Sequence, residues 1–276
     1  KKDMAISAAD VMKLRKATGA GMMDCKQALA DANGDFDAAV QIIREKGKAI
    51  ANKRADREAS EGVVLGKVAG KKAGIIVLKC ETDFVAKNEG FIKLADQMLD
   101  LALASDAKDL DGAKQLVMDG RTLEEHVIEQ TGIIGEKLEL GYYSTIEAES
   151  VVAYIHPGNK LSTIVGFNKA DVDAQVGKDV AMQAAAMNPV AVDKNDVPAD
   201  VVAKELEIAK EKYRQEGKPE DMLDKIAQGA LNKFYKESTL LNQDFVKDNK
   251  QTIRQYLQSI AKDLTVTGFD RYSLSE

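Results

Sequence analysis

Tryptophan is absent and all aromatics together make up only 5% of the chain, so any core must be filled by Val, Ile, Leu, Ala and Met. Histidine occurs twice, at His126 and His156, and cysteine twice, at Cys25 and Cys80. The cysteines lie far apart with no CxxC spacing and no histidine beside them, which argues against a zinc site or a disulfide framework. There is no GxSxG, no HExxH and no Cys–His nucleophile pair, so no familiar hydrolytic centre is encoded. No apolar run is long enough to span a bilayer, and no signal-peptide block precedes the first helix pattern. Neither a membrane partner nor a cofactor is therefore expected, and cytoplasm is the expected compartment. A net charge of −6 gives no general basic field for direct nucleic-acid binding. Lys1-Lys2-Asp3 reads as an addition ahead of a natural start at Met4. What remains is a binding or regulatory protein rather than an enzyme.

The chain is 276 residues long, 45% apolar and 30% charged, enough for two or more domains with real cores. Ser7 with Asp10 reads as a capping box, Val11, Leu14 and Ala17 share one helical face, and Gly19 stops the helix. Cys25, Ala28, Leu29 and Ala32 fall at i, i+3, i+4, i+7, and Asn33-Gly34 supplies a left-handed end. Asp35 caps a third helix with Phe36, Ala39, Val40 and Ile43 on one stripe, expected to end at Gly47. Residues 1–47 thus form a three-helix module, and the charged stretch 48–61, with no clean apolar stripe, reads as a helical linker. Between the first two helices, Thr18-Gly19-Ala20-Gly21-Met22-Met23-Asp24 is either an adaptable contact surface or a plain turn with both methionines in the core. No strand precedes it, so it is not a dinucleotide fingerprint.

After Gly62 the pattern becomes hairpin plus helix, and it occurs twice. An 88-residue offset separates Val63 from Val151 and also Ile75 from Thr163. The first hairpin turns at Ala69-Gly70-Lys71-Lys72 and the second at Pro157-Gly158-Asn159. Gly66-Lys67-Val68-Ala69-Gly70-Lys71-Lys72 has neither the glycine spacing nor the hydroxyl of a phosphate loop. A helix follows each hairpin, carrying Phe91, Leu94, Ala95, Met98 and Ala102 in the first, Val176, Val180, Ala184 and Met187 in the second. The expected class is α+β, with one core half over 62–148 and another over 149–276. Helix fragments fall at Ala113–Met118 and at Thr122–Gln130, the latter opened by a Thr122/Glu125 capping box. A strand is expected over Leu138–Thr145. Ile133 and Ile134, between Gly132 and Gly135, are expected in the core, and His156 at a turn.

The second half carries an insertion at about 198–237. Val202, Leu206, Ala209 and Tyr213 form one stripe, Gly217-Lys218-Pro219 turns the chain, and Met222, Ile226, Ala230 and Phe234 form the facing stripe. That is an antiparallel helical hairpin with heptad-like spacing, able to pack on itself or to join a second copy as a homodimer. Asn242–Lys247 is expected as an exposed loop. A helix with Ile253, Tyr256, Leu257 and Ile260 follows, then a strand over Thr265–Tyr272.

The stretch around which these pieces are arranged is Cys80-Glu81-Thr82-Asp83-Phe84-Val85-Ala86-Lys87-Asn88-Glu89. It joins the apolar run Gly74–Leu78 to an amphipathic helix and sets a phenylalanine among polar neighbours. Folding alone predicts that the Phe84 ring turns back onto its own core. The second half has no such feature; Asn168-Lys169-Ala170-Asp171 stands in its place. An asymmetric loop on a duplicated scaffold points to function.

Thr18–Leu29 together with Thr82-Asp83-Phe84-Val85-Ala86-Lys87 closely resembles the bacterial elongation factor Ts family, whose members exchange guanine nucleotide on elongation factor Tu. The resemblance extends over nearly the whole chain. It implies an N-terminal module similar to ubiquitin-associated domains, a paired α+β core and a coiled-coil hairpin. It also implies that Thr82, Asp83, Phe84 and Val85 enter the nucleotide domain of the GTPase and disturb its Mg²⁺ and phosphate site. Met22, Met23 and Lys26 match module contacts to that domain, Ile134 and Gly135 a core contact near the same place, and His156, Phe245 and Val246 contacts elsewhere on the partner. Lys247 stands where the family pattern has methionine, and the chain ends soon after Tyr272, without the extra C-terminal helix of some members. Two other readings compete: a scaffold or chaperone-like protein using the three-helix module, and an enzyme with a cryptic carboxylate site.

Overall fold

A computed structural model describes residues 6–275; the Lys1-Lys2-Asp3 reading lies outside them. The fold is α+β, with helices α1 to α11 and small antiparallel sheets among the described residues. Two compact units are present: residues up to Val63 with Ile76–Tyr143, and Val64–Ile75 with the chain from Ser144 onward.

In the first unit, α1 (Ala8–Thr18) opens with the Ser7/Asp10 capping box and closes on left-handed Gly19. α2 (Met22–Asp31) and α3 (Phe36–Lys53) complete the module, whose core is Val11, Leu14, Cys25, Ala28, Leu29, Ala39 and Ile43. Contrary to expectation, α3 does not stop at Gly47 but runs six residues further, to Lys53. Gly47 there is a packing residue, since its missing side chain lets α7 (Leu123–Ile134) approach at Gly132. The first part of the charged stretch is thus helix packed on helix.

Strands β1 (Glu61–Ala69) and β2 (Lys72–Cys80) make the first hairpin, its turn at Gly70 adopting positive φ. α4 (Asp83–Ala86) and α5 (Glu89–Leu103) follow, and α5 buries Phe91, Ala95, Met98 and Ala102 as the periodicity predicts. α6 (Leu110–Lys114) is shorter than the expected fragment. Val117–Met118 is instead strand β3, paired with β4 (Arg121–Thr122) in a tiny hairpin ahead of the Thr122/Glu125 capping box of α7. β5 (Glu139–Glu147) completes a sheet of order β1-β2-β5.

In the second unit, β6 (Ser150–Ile155) and β7 (Leu161–Phe167) pair antiparallel, with Val152 opposite Val165. The C-terminal strand β10 (Val266–Ser273) lies on the other side of β7, giving the order β10-β7-β6. α8 (Ala174–Met187) packs Val176, Val180, Ala181 and Ala184 onto this sheet. α9 (Ala199–Gln215) and α10 (Glu220–Ser238) form the antiparallel hairpin. Its facing stripe on α10 is shifted by one position from expectation. Leu223, Ala227 and Leu231 are buried while Met222 is exposed and Ile226, Ala230 and Phe234 are half-buried at the edge of the seam, one position (about 100° of helix) away from the buried stripe.

Asn242–Lys247 is not an exposed loop. Asp244–Phe245 forms β8, paired with β9 (Asp248–Thr252), and leads into α11 (Ile253–Ile260). Phe245 stacks on Tyr256 with ring centroids 4.5 Å apart, so an aromatic that looks stranded among polar residues is a core residue.

Candidate functional site

Phe84 is 83% exposed. The ring does not fold back, and the reason lies in the short helix that carries it. β2 ends at Cys80, and extended Thr82 caps the single turn α4, its Oγ1 accepting the Val85 N–H at 3.5 Å. One turn of helix can present only one side to the protein. Ala86 is buried and Val85 half-buried, which sends Phe84 to water. Leaving such a ring in solvent forgoes roughly 1.5–3 kcal/mol of burial. Asn88 then restarts the helix, accepting the Gly90 and Phe91 N–H groups at 2.9 and 3.2 Å. Asp83 is bridged by Lys87 Nζ at 2.6 Å, one turn on.

The turn is braced from a distance in sequence. The Glu136 carboxylate accepts both the Thr82 hydroxyl at 2.6 Å and the Thr82 N–H at 3.1 Å. Glu81 accepts the Lys137 N–H at 2.6 Å and Arg54 Nη1 at 2.8 Å, while Lys137 Nζ donates to the carbonyls of Ala55 and Arg57 at 2.8 Å. Burial pushes the Cys80 thiol up to about 12, and Cys80 donates to the Thr82 carbonyl at 3.2 Å; it is an inert part of the brace. The Lys137 N–H first, joined by Arg54, holds Glu81 below the ordinary carboxylate range against the opposing effect of burial. The sign follows from linkage: the stability Glu81 contributes is fully present above its unfolded pKa and is lost as pH falls through its lower folded pKa. Urea melts from pH 6 down to pH 3 should therefore show a shallower acid limb for Glu81→Gln than for the parent.

Glu136 follows directly on Ile134 and Gly135, and this is how separate predicted segments come together. Gly135 caps α7 in the left-handed conformation, its N–H donating to the Thr131 carbonyl at 2.9 Å. Ile134 is half-buried rather than core. Ile133 turns toward the module: a side chain added at Gly19 would meet Ile133 Cδ1 at 3.6 Å. A small cavity of about 30 Å³ marks the same seam, with Ala20, Gly21, Gly132 and Ile133 in its wall. Gly21 is the N-cap of α2, so Met22 and Met23 sit in the first turn of that helix, 41% and 74% exposed, with Lys26 exposed one turn on. The methionines are not in the core. The C-terminus of α7 thus holds the methionine turn on one side and the Phe84 turn on the other.

In the second unit, exposed His156 lies at the β6–β7 turn, where its N–H closes the hairpin on the Leu161 carbonyl at 2.8 Å. Its Nδ1 meets the Tyr154 hydroxyl at 3.0 Å. Phe245 is 4% exposed and Val246 is 51% exposed, so only the latter offers surface. The Val246 N–H is held at 2.9 Å by buried Gln183. Lys247 is exposed but tied at its tip: its Nζ donates to Asp179 at 2.5 Å, and Tyr256 donates to the same carboxylate at 2.8 Å. Burial pushes Asp179 up, but the hydrogen bonds from Lys247, Tyr256 and Gln175 outweigh it and hold the carboxyl low. Lys247→Met should leave that carboxylate short of a partner and destabilise the unit by about 1–3 kcal/mol. Urea denaturation of the two forms at neutral pH measures it.

Sequence reasoning missed Glu136, Lys137 and Arg54, and missed Asp179 as the partner of Lys247. Each is an ordinary surface-type residue by type, and only the three-dimensional pairing distinguishes it. Among the described residues no cluster of His, Cys, Asp and Glu is arranged to hold a metal, and no helix is long and apolar enough to cross a membrane.

The family model described as Elongation factor TS matches residues 81–276. The chain is 53% identical over 272 residues to the Elongation factor Ts of Azobacteroides pseudotrichonymphae, covering 99% of each. It is 52% identical over 275 residues to that of Porphyromonas gingivalis, again covering 99% of each. It is 50% identical over 274 residues to that of Christiangramia forsetii, covering 98% of each.

Proposed function

The chain belongs to the elongation factor Ts family, and from that premise we propose that it acts in translation as the guanine-nucleotide exchange factor of elongation factor Tu. The observation that carries the reading is the exposed Phe84 ring on a capped and braced turn. An aromatic ring kept in water by a turn that is itself braced is presented for a partner to bury, as the aromatic anchors of interfaces are.

A GTPase holds GDP largely through backbone amides, a lysine and Mg²⁺ on the phosphates. Phe84 enters between elements of the nucleotide domain and stabilises a conformation in which the metal and phosphates are poorly held. Thr82, Asp83 and Val85 shape the turn, with Asp83 orienting it or taking a hydrogen bond at the partner surface. Met22, Met23 and Lys26 anchor the module, their flexible side chains adapting to the partner. Ile134 and Gly135 add contact beside the wedge. In the second unit His156 and Val246 supply further contact, and Phe245 serves by backing Val246 from the core. No catalytic acid or base is required, because differential binding of two partner conformations lowers nucleotide affinity and, reciprocally, nucleotide weakens the complex. A coupling of about 1–3 kcal/mol corresponds to roughly 5–150-fold in affinity.

The test is stopped-flow release of a fluorescent GDP from elongation factor Tu with and without this protein. Strong acceleration, with a nucleotide-free complex that GDP dissociates, supports the reading. Tight association that neither speeds release nor responds to GDP would establish a scaffold instead.

A further inference from the structure

A cavity of about 230 Å³ in the first unit is walled by Gln41, Arg44 and Lys48 of α3 and by Arg121, Glu125 and Glu129 around the start of α7. Three of these side chains are cationic, and the two carboxylates are already engaged. Glu125 accepts the Thr122 N–H at 3.0 Å as part of the capping box, and Glu129 pairs with Arg121. Arg44 makes no ion pair among the described residues. The Nε atoms of Arg44 and Arg121 are both buried and neither has a hydrogen-bond partner. Burial first, and then the charge of Arg44, lower the pKa of Arg121, which places the two guanidinium groups within each other's field.

Folding gives no reason for this arrangement. The two guanidinium groups share one cavity with Glu125 and Glu129, and each keeps a buried Nε–H without an acceptor, which the Arg121–Glu129 pair does not satisfy. A tetrahedral oxyanion removes both problems together. It accepts from Nε and Nη of two arginines in the fork geometry that guanidinium groups offer, and it neutralises their repulsion. The space is smaller than the roughly 300–1,000 Å³ of pockets that enclose a drug-sized ligand. It admits one phosphate group and not a nucleoside.

We propose that Arg44 and Arg121, assisted by Lys48, form a binding site for a phosphate group at the junction of α3 and α7. The group is either free phosphate or the terminal phosphate of a nucleoside diphosphate whose remainder lies outside the cavity. Bound there, it ties α3 to the start of α7 and so holds the three-helix module in place. The site is independent of the exchange reading, since neither arginine belongs to the surface assigned to the GTPase.

The experiment uses the full chain with inorganic phosphate replacing chloride at constant ionic strength. The ¹⁵N–¹H resonances of the Arg44 and Arg121 Nε–H groups should move together and saturably, and the melting midpoint should rise with the same concentration dependence. Arg44→Gln, and separately Arg121→Lys, which retains a charge for Glu129, should each weaken binding at least tenfold by titration calorimetry, with circular dichroism unchanged. Tighter binding of a nucleoside diphosphate than of phosphate, with the same sensitivity to both variants, identifies a nucleotide as the source; equal or weaker binding identifies free phosphate. Nε–H resonances that stay in place up to saturating phosphate overturn the proposal, as does affinity unchanged in both variants. Should either variant fail to fold, the resonances of the parent chain decide.

Discussion

Phe84→Ala should abolish most of the acceleration of GDP release, a loss of about 10- to 100-fold, while leaving the unfolding free energy within about 0.5 kcal/mol of the parent. The two halves of this expectation rest on one fact. The ring is 83% exposed, so its removal takes little from the folded state. Its backbone survives too, because α4 is held by the Thr82 cap, the Asp83–Lys87 pair and Glu136, none of which involves the ring. Alanine is also a better helix former than phenylalanine, which favours the turn slightly. Stopped-flow release with the variant, alongside urea melts, reads both quantities. Acceleration that survives the substitution would move the mechanism away from the wedge to the methionine turn or to Ile134. A large drop in stability would show that the ring packs on its own chain after all.

Local signals were legible wherever they concern a few neighbouring residues. The capping boxes at Ser7/Asp10 and Thr122/Glu125, the helix stop at Gly19, the left-handed Asn33-Gly34 and both hairpin turns stand where the sequence places them. These features are set by backbone sterics and near-neighbour hydrogen bonds, which composition and spacing report directly. Features decided by pairing between remote segments were not. Gly47 reads as a helix stop because glycine usually is one, yet its function is to admit Gly132, 85 positions away in the chain. Phe245 and Phe84 look alike in sequence, each a phenylalanine after an aspartate among polar residues. Tyr256 covers one, and among the described residues the other stays exposed. Likewise the resemblance supplied the importance of the Thr82–Val85 turn, but not the carboxylate that holds it; Glu136 carries no mark until its oxygens are seen on Thr82.

Gly132→Ala should destabilise the first unit by about 1–3 kcal/mol, reversing the sign that helix propensity alone predicts. Within α7 an alanine is worth close to 1 kcal/mol over glycine when the site is open. Here the added carbon would fall on the Gly47 Cα and lie 3.2 Å from the Gly47 carbonyl carbon, so the obstacle is backbone and no rotamer change relieves it. α3 must move away from α7. That loosens the seam where Ile133 meets Gly19, and with it the footing of Met22 and Met23. The Phe84 turn hangs on Glu136 and Arg54 and keeps most of its geometry. Exchange by the variant should therefore need a higher factor concentration for half-maximal acceleration, with the maximal rate nearly retained. Gly229→Ala in α10 is the matched control, a helical glycine with nothing within 4 Å of an added carbon, and it should stabilise the protein by up to about 1 kcal/mol. Hydrogen exchange should show amides around 43–53 losing protection in Gly132→Ala while those of α8 do not. If both substitutions stabilise alike, the close crossing of α3 and α7 is wrong. If only Gly132→Ala destabilises and the concentration dependence shifts as stated, the crossing is what aligns the methionine turn for its partner.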